Sequence, residues 1–170
     1  MATDALSIEL LRMDGLSLAA RTGSGHWLSM DTSVAGGGHG AAASPVELVL
    51  AALAGCMAMD ILSMLEKMRV RLEDFRIEAS AERAPEPPRV FTKVALTIRV
   101  RGDVKPRQLE RAIALSHEQY CSVGAMLKPT VPIEHHYILE PSTNPAPIPG
   151  TEIGATRDDA AREAIFDSID

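Results

Sequence analysis

Residues 44–68 read SPVELVLAALAGCMAMDILSMLEKM, and this stretch decides how the rest of the chain must fold. Ser44 is a favoured helix N-cap, and Pro45 suits the first helical position. The residues that follow are helix formers and apolar nearly all round, which is typical of a helix that is buried on every side or lies in a membrane. Four charged residues interrupt the run before it reaches the roughly 20 residues of a membrane span: Glu47, Asp60, Glu66 and Lys67. We therefore predict a central core helix.

Length and charge restrict the class of protein. A chain of 170 residues favours one domain with a sizeable core, and a net charge of −6 argues against nucleic acid, which requires a basic surface. Residues 141–170 hold six acidic side chains against two arginines, so this part carries −4 of the total. We predict a domain over 1–140, followed by a Pro-rich linker and an acidic tail over 141–170. The first residues do not resemble a signal peptide, so we expect a cytoplasmic protein without membrane contacts.

Apolar and polar residues alternate on both sides of the central helix and predict strands there. Asp14-Gly15 is a strong hairpin signal, so residues 5–31 should form an antiparallel meander. The clearest two-residue period covers 71–101 and predicts a second hairpin. We also predict a loop at 32–43, helices at about 105–120 and 121–127, a last strand at 131–139 and a short amphipathic helix at 158–169.

These elements indicate an α+β fold, because strands and helices are segregated and no βαβ alternation appears. A central helix that is apolar on all sides needs cover on all sides. The two predicted strand groups are too small to supply that cover alone. We therefore predict a homodimer in which central helices pair across a two-fold axis.

Cys56 and Cys121 are the two cysteines of the chain, and they are 65 residues apart. This spacing matches no zinc pattern, and we expect neither a metal nor a cofactor. One interpretation makes both cysteines small buried apolar residues; the other makes them a working redox pair. The helix predicted after Cys121 would stabilise a thiolate there, which favours Cys121 as the more acidic thiol. Gly55 indicates close approach of a backbone or a ligand to Cys56.

Several motifs resemble those of one known family. They are SPVELVLAALAGC at 44–56, a hairpin, and then YCSVGAML at 120–127 before a final strand. This order is similar to the OsmC/Ohr family, the osmotically inducible protein C and organic hydroperoxide resistance proteins. SGHWLSMD at 24–31 and EQYC at 118–121 look most like the YhfA-type branch of OsmC-like proteins. The resemblance covers about residues 5–140.

The resemblance implies an OsmC-like fold, with antiparallel sheets packed on long central helices in an intertwined homodimer. It also implies a thiol peroxidase for organic hydroperoxides, with Cys56 as the peroxidatic and Cys121 as the resolving cysteine. In that chemistry a thiolate attacks the peroxide, the resulting sulfenic acid condenses with a second thiol, and an external dithiol reduces the disulfide.

The sequence departs from the family at the residues that activate the cysteine. In the peroxidases a glutamate follows the proline at the helix start and orients an arginine; here that position is Val46, and Glu47 stands one residue later. At 100° per residue Glu47 points away from Cys56, which favours a capping role. Arg21 and His26 are the candidates for the cation. The alternative is a non-catalytic relative that binds a small apolar ligand or senses oxidation through its thiols.

Four other polar residues are candidates for a functional role. Asp60 lies one turn after Cys56 on the same helix face and is either a proton acceptor or a carboxylate satisfied by a neighbour. His117 lies one turn before Cys121 and is either a proton partner or the polar end of a half-buried helix. His135 and His136 should point to opposite faces of the last strand.

Overall fold

The computed structural model describes residues 5–143. Strands β1 (Ile8–Asp14), β2 (Ser17–Thr22) and β3 (Trp27–Met30) precede helix α1 (Pro45–Lys67). Strands β4 (Leu72–Arg83) and β5 (Phe91–Gly102), helices α2 (Pro106–Leu115) and α3 (Ser122–Leu127), and strand β6 (Ile133–Glu140) follow. The α+β fold class is confirmed. The helix predicted at 158–169 and most of the predicted linker and tail lie outside the described residues.

Helix α1 begins as the sequence predicts. The Ser44 hydroxyl accepts a hydrogen bond from the Glu47 amide, and the Glu47 carboxylate accepts one from the Ser44 amide. This reciprocal capping box satisfies two amide groups that have no partner inside the helix. The helix ends at Lys67, and Arg69 then adopts a left-handed conformation with φ of 56°.

Only one face of α1 is buried within a single chain. Its four fully buried residues follow a helical spacing and join the core: Leu53, Met57, Ile61 and Leu65. The opposite face is open, and Met59 is 70% exposed. A single chain therefore leaves this face of the helix uncovered, as expected, and its burial on every side in a dimer stays a prediction. The 23 residues of α1 and their mean hydropathy of 2.1 over a window of 18 residues would also suit a membrane span. Core helices of soluble proteins can be equally long and apolar.

Strands β1 to β3 form the predicted antiparallel meander, with β2 in the centre. Gly15 turns the first hairpin with φ of 53°, a conformation that glycine adopts without strain. Every residue of β1 is exposed, including the apolar ones. The loop predicted at 32–43 contains a 3₁₀ turn at Val34–Gly36, and the Asp31 carboxylate accepts backbone hydrogen bonds that hold the loop in place.

The second sheet has the order β4-β5-β6. The β4–β5 hairpin is antiparallel as predicted, but β6 pairs parallel to β5. The prediction of antiparallel sheets is therefore wrong for this pair. The physical reason is that α2 and α3 form a long crossover that returns the chain to the same end of the sheet, as a parallel pair requires. The inward residues of β5 are fully buried: Val94, Leu96, Ile98 and Val100.

The two helices of the crossover are joined by a wider turn. Residues Ser116–Tyr120 form one π-helical turn after α2, and Cys121 then leaves the helical conformation with ψ of 99°. Helix α3 begins at the next residue, as predicted. Such π turns are frequent at functional sites, and this one delivers Cys121 to the side of α1.

Candidate functional site: a two-thiol cluster

The fold brings the two cysteines together. Cys56 lies in the middle of α1 and Cys121 at the N-cap of α3. The two sulfur atoms and one carboxylate oxygen of Asp60 all lie within 4.8 Å of one another. Both cysteines are free thiols; Cys56 is half-buried and Cys121 is buried. The cluster therefore has a thiol that a small molecule can reach and a second thiol directly behind it.

Backbone contacts fix the position of Cys121. Its amide donates to the Ser116 carbonyl at 2.9 Å, and its sulfur accepts a hydrogen bond from the Gly124 amide at 3.2 Å. A Cβ atom added at Gly124 would lie only 3.2 Å from that sulfur. The glycine thus allows the first turn of α3 to close tightly around Cys121. The role of Gly124 was not predicted from the sequence, although a glycine three positions after the cysteine is a signal for such a turn.

Cys121 is not an acidic thiol. Burial, together with a smaller effect of a hydrogen bond with Cys56, raises the pKa of Cys121 to about 11, and the hydrogen bond from the Gly124 amide lowers it by less than these raise it. The negative charges that Cys56 and Asp60 can carry add to this effect. The expectation that the start of α3 makes the Cys121 thiol acidic is therefore wrong, because desolvation outweighs the effect of the helix start. Cys121 is a neutral thiol at physiological pH.

Asp60 is held beside the thiols by Ser116. The Ser116 hydroxyl donates to the Asp60 carboxylate at 2.8 Å, and Ser116 is fully buried. The sequence analysis placed Asp60 on the face of Cys56 but missed its serine partner. Ser116 is the first residue of the π-helical turn, so the same turn that positions Cys121 also orients this carboxylate. Two sulfurs and a carboxylate oxygen are ligand types that zinc accepts.

Glu47 takes the capping role that its position predicts. Its carboxylate accepts hydrogen bonds from the Ser44 hydroxyl and amide at 2.6 and 2.7 Å, and these bonds lower the pKa of Glu47. Nine residues of helix place it about 13 Å from Cys56 along the axis. A catalytic role for Glu47 stays a prediction. Among the described residues of one chain, the hydrogen bonds of its carboxylate go to Ser44.

Arg21 and His26 lie in the meander. The Arg21 guanidinium stands over the Trp27 ring at 6.0 Å, and the His26 ring lies 3.1 Å from the Ser24 hydroxyl. Within residues 5–143, neither side chain has a polar contact with Cys56 or Cys121. Activation of Cys56 by either residue stays a prediction. Gly55 has open space where its Cβ would be, so a close neighbour of Gly55 would have to be a ligand or another chain.

His117, four residues before Cys121 in the chain, packs against His135 of β6. The rings of His117 and His135 are 4.6 Å apart in an edge-on contact. Nε2 of His135 is buried and has no hydrogen-bond partner among the described residues. Burial lowers the pKa of His135 to about 4, and the neighbouring His117 and His136 contribute. His136 is exposed, which agrees with the predicted alternation of the strand.

A groove of about 470 Å³ opens at the N-terminal end of α1. Its apolar lining comes from three parts of the chain and includes Val46, Val49, Val90, Phe91, Leu127 and Val131. Val46 occupies the position at which the resembling peroxidases have glutamate. Valine in place of glutamate at position 46 therefore adds apolar surface to the groove and leaves it without a carboxylate there.

Comparison with known proteins supports the family resemblance. The family described as "OsmC-like protein" matches residues 38–136. The protein YhfA of Escherichia coli K12 is 40% identical over 126 residues, which cover 74% of this chain and 91% of that protein. The chain therefore belongs to the OsmC-like family.

Solved structures share the fold. A hypothetical protein from Aquifex aeolicus VF5 is 24% identical, with a TM-score of 0.74 over 82% of this chain and 99% of that one. An organic hydroperoxide resistance protein OsmC from Legionella pneumophila, described as a predicted redox protein, is 22% identical to this chain. It superposes with a TM-score of 0.63 over 81% of this chain and 98% of that one. At these identities the likeness establishes the fold.

Proposed function

We propose that the protein is a cysteine-dependent hydroperoxide reductase of oxidative-stress defence. The observation that carries the proposal is the meeting of two free thiols from distant parts of the chain, with both sulfurs and Asp60 within 4.8 Å of one another. A structural cysteine needs no second thiol at this distance. The structural likeness to an organic hydroperoxide resistance protein of Legionella pneumophila supports the proposal of the same chemistry here.

The two thiols have different proposed roles. Cys56 attacks the terminal peroxide oxygen as a thiolate, the O–O bond breaks, and an alcohol leaves after taking up a proton. The sulfenic acid on Cys56 then condenses with the Cys121 thiol to give a disulfide and water. An external dithiol reduces the disulfide. The raised pKa of Cys121 keeps this second thiol protonated while Cys56 reacts with the peroxide.

The proposed assembly is a homodimer in the cytoplasm. The open face of α1 and the exposed apolar residues of β1 are the surfaces that a second chain would cover, since exposed apolar patches of this kind mark interaction sites. A second chain is also the proposed source of the cation beside Cys56, from Arg21 or His26. The substrate is a small-molecule peroxide and the reductant a dithiol.

A test of the reaction is the consumption of cumene hydroperoxide with a dithiol reductant. We expect turnover by the native protein and loss of at least about a hundredfold in Cys56→Ser, because the attacking atom is absent. The Cys121→Ser variant should show slower turnover with the same reductant. Turnover equal to that of Cys56→Ser in the native protein would contradict the proposal.

A second candidate function rests on the groove beside Val46. Its apolar lining and the absence of a carboxylate at position 46 favour a non-catalytic protein that binds a small apolar ligand. The same assay separates the two functions. Absence of turnover, together with saturable binding of a fluorescent fatty acid that Val46→Glu weakens, would favour the binding protein.

A further inference from the structure

We propose that the reduced cluster of Cys56, Cys121 and Asp60 is a binding site for a soft divalent cation of the zinc type. The spacing of Cys56 and Cys121 in sequence matches no zinc pattern, so this site exists only through the fold. The binding step requires only reduced thiols and does not depend on the proposed peroxidase activity.

The distances fit a tetrahedral ion. Zinc–sulfur bonds of about 2.3 Å place two ligand atoms about 3.8 Å apart at a tetrahedral angle. The three candidate ligand atoms are already within 4.8 Å of one another, so shifts of side-chain torsions of Cys56 and Asp60 bring them into range. Three protein ligands leave one position for water or for an external thiol, as in open zinc sites.

The surroundings orient the ligands as they do at metal sites. The buried Ser116 hydroxyl donates to one oxygen of Asp60 at 2.8 Å and leaves the other carboxylate lone pairs for an ion. The Gly124 amide donates to the Cys121 sulfur and favours its thiolate form. Ser116 and the Gly124 amide are therefore outer partners of two different ligands.

The charges of the cluster favour a cation. The two thiolates and the carboxylate would together carry three negative charges in a half-buried place, where like charges repel. A divalent ion replaces the two thiol protons, which pass to the buffer, and it leaves the site with a charge of −1. Thiolate ligands select soft cations over magnesium or calcium.

Oxidation and metal binding exclude each other. A disulfide between Cys56 and Cys121 has no thiolate to offer an ion. A hydroperoxide that takes two electrons and two protons from the metal-free thiols yields disulfide, alcohol and water, and the oxidised cluster then has no sulfur ligands for an ion. Conversely, a bound ion occupies the Cys56 sulfur and prevents attack on the peroxide. The cluster is thus a metal site in its reduced form only.

The test is titration of the reduced full-length protein with Cd²⁺, whose thiolate bonds give an ultraviolet charge-transfer band. We expect saturation at one ion per chain and competition by Zn²⁺ but not by Mg²⁺. Because the band reports only thiolate ligands, cadmium bound by the acidic tail does not contribute. Absence of a saturable band, or equal competition by Mg²⁺, would overturn the inference.

Variants identify the ligands. Cys56→Ser and Cys121→Ser should each lower the band by about half and weaken binding. Asp60→Asn and Ser116→Ala should keep the band but weaken binding, Ser116→Ala by about 10- to 100-fold. The control Glu66→Gln, on the exposed side of the same helix, should change nothing. An unchanged affinity for Cd²⁺ in Cys121→Ser or Asp60→Asn would overturn the three-ligand site. Circular dichroism verifies that each variant is folded.

Two results separate this inference from the proposed function. Cadmium binding without peroxide turnover keeps the metal site and removes the peroxidase. Peroxide turnover without cadmium binding does the opposite. When both hold, stoichiometric Zn²⁺ should inhibit turnover, and a chelator should restore it.

Discussion

At the level of single residues, the environments of Cys56 and Cys121 differ from one another more than the sequence indicates. Cys121 is buried and has a raised pKa, whereas Cys56 is half-buried on the same helix face as Asp60. A helix start was visible in the sequence after Cys121, but the desolvation that dominates its pKa depends on which side chains pack over it. That packing is set by the fold and cannot be derived from neighbours in the chain.

His135 provides a prediction about pH. Its pKa of about 4 lies below its usual value of 6.5, so the unfolded chain binds a proton that the folded chain resists. The contribution of His135 to stability is therefore present above pH 6.5 and is lost as pH falls toward 4. In urea unfolding at pH 7 and pH 5, His135→Gln should show a smaller loss of stability than the native protein. The control is His136→Gln, which changes an exposed neighbour on the same strand. If His135→Gln lost as much stability between pH 7 and pH 5 as the native protein, His135 would not be the source of this pH dependence.

At the scale of elements, the sequence predicts what local chemistry decides. The capping box at Ser44, the turn at Gly15 and the alternation of β5 all depend on residues close together in the chain, and the structure confirms them. The expectation of antiparallel sheets was wrong for β6, which pairs parallel to β5. The direction of this strand depends on the path of the whole crossover. The contact of Asp60 with Ser116 was missed for the same reason, since it joins residues 56 positions apart.

Helix α1 provides a prediction about assembly. Its open face carries Met59, which is 70% exposed in one chain, and we expect a second chain to cover it. Light scattering at low micromolar concentration should give the mass of a dimer. Met59→Glu should weaken the dimer, because a buried interface would then hold an unpaired charge.

Ala114→Glu, on the exposed side of α2, is the matched control for this substitution and should remain dimeric. A compact monomer for the native protein would contradict the proposed assembly. A dimer that Met59→Glu leaves intact would place the interface elsewhere.

At the scale of the whole molecule, the family domain and the tail are separable in the sequence. The family match ends at residue 136 and β6 ends at Glu140, where the Pro-rich stretch begins. The boundary between a domain at 1–140 and a tail at 141–170 stays a prediction. Most of the acidic excess lies beyond it.

Deletion of residues 151–170 tests this boundary. We expect soluble expression and a free energy of unfolding within about 1 kcal/mol of that of the full chain, because the core cluster is built from residues before 140. The measurement is urea unfolding of both proteins at equal concentration. Insoluble expression of the shortened chain would show that the tail belongs to the core or to the dimer.

The order in which the two thiols react is the central claim, and trapping of sulfenic acid tests it most directly. Each reduced single-serine variant is treated with one equivalent of cumene hydroperoxide in the presence of dimedone, and the adduct is located by mass spectrometry. We expect an adduct on Cys56 in Cys121→Ser and almost none on Cys121 in Cys56→Ser, because the buried Cys121 thiol stays protonated. An adduct on Cys121 alone would reverse the roles, and no adduct in either variant would contradict the redox pair.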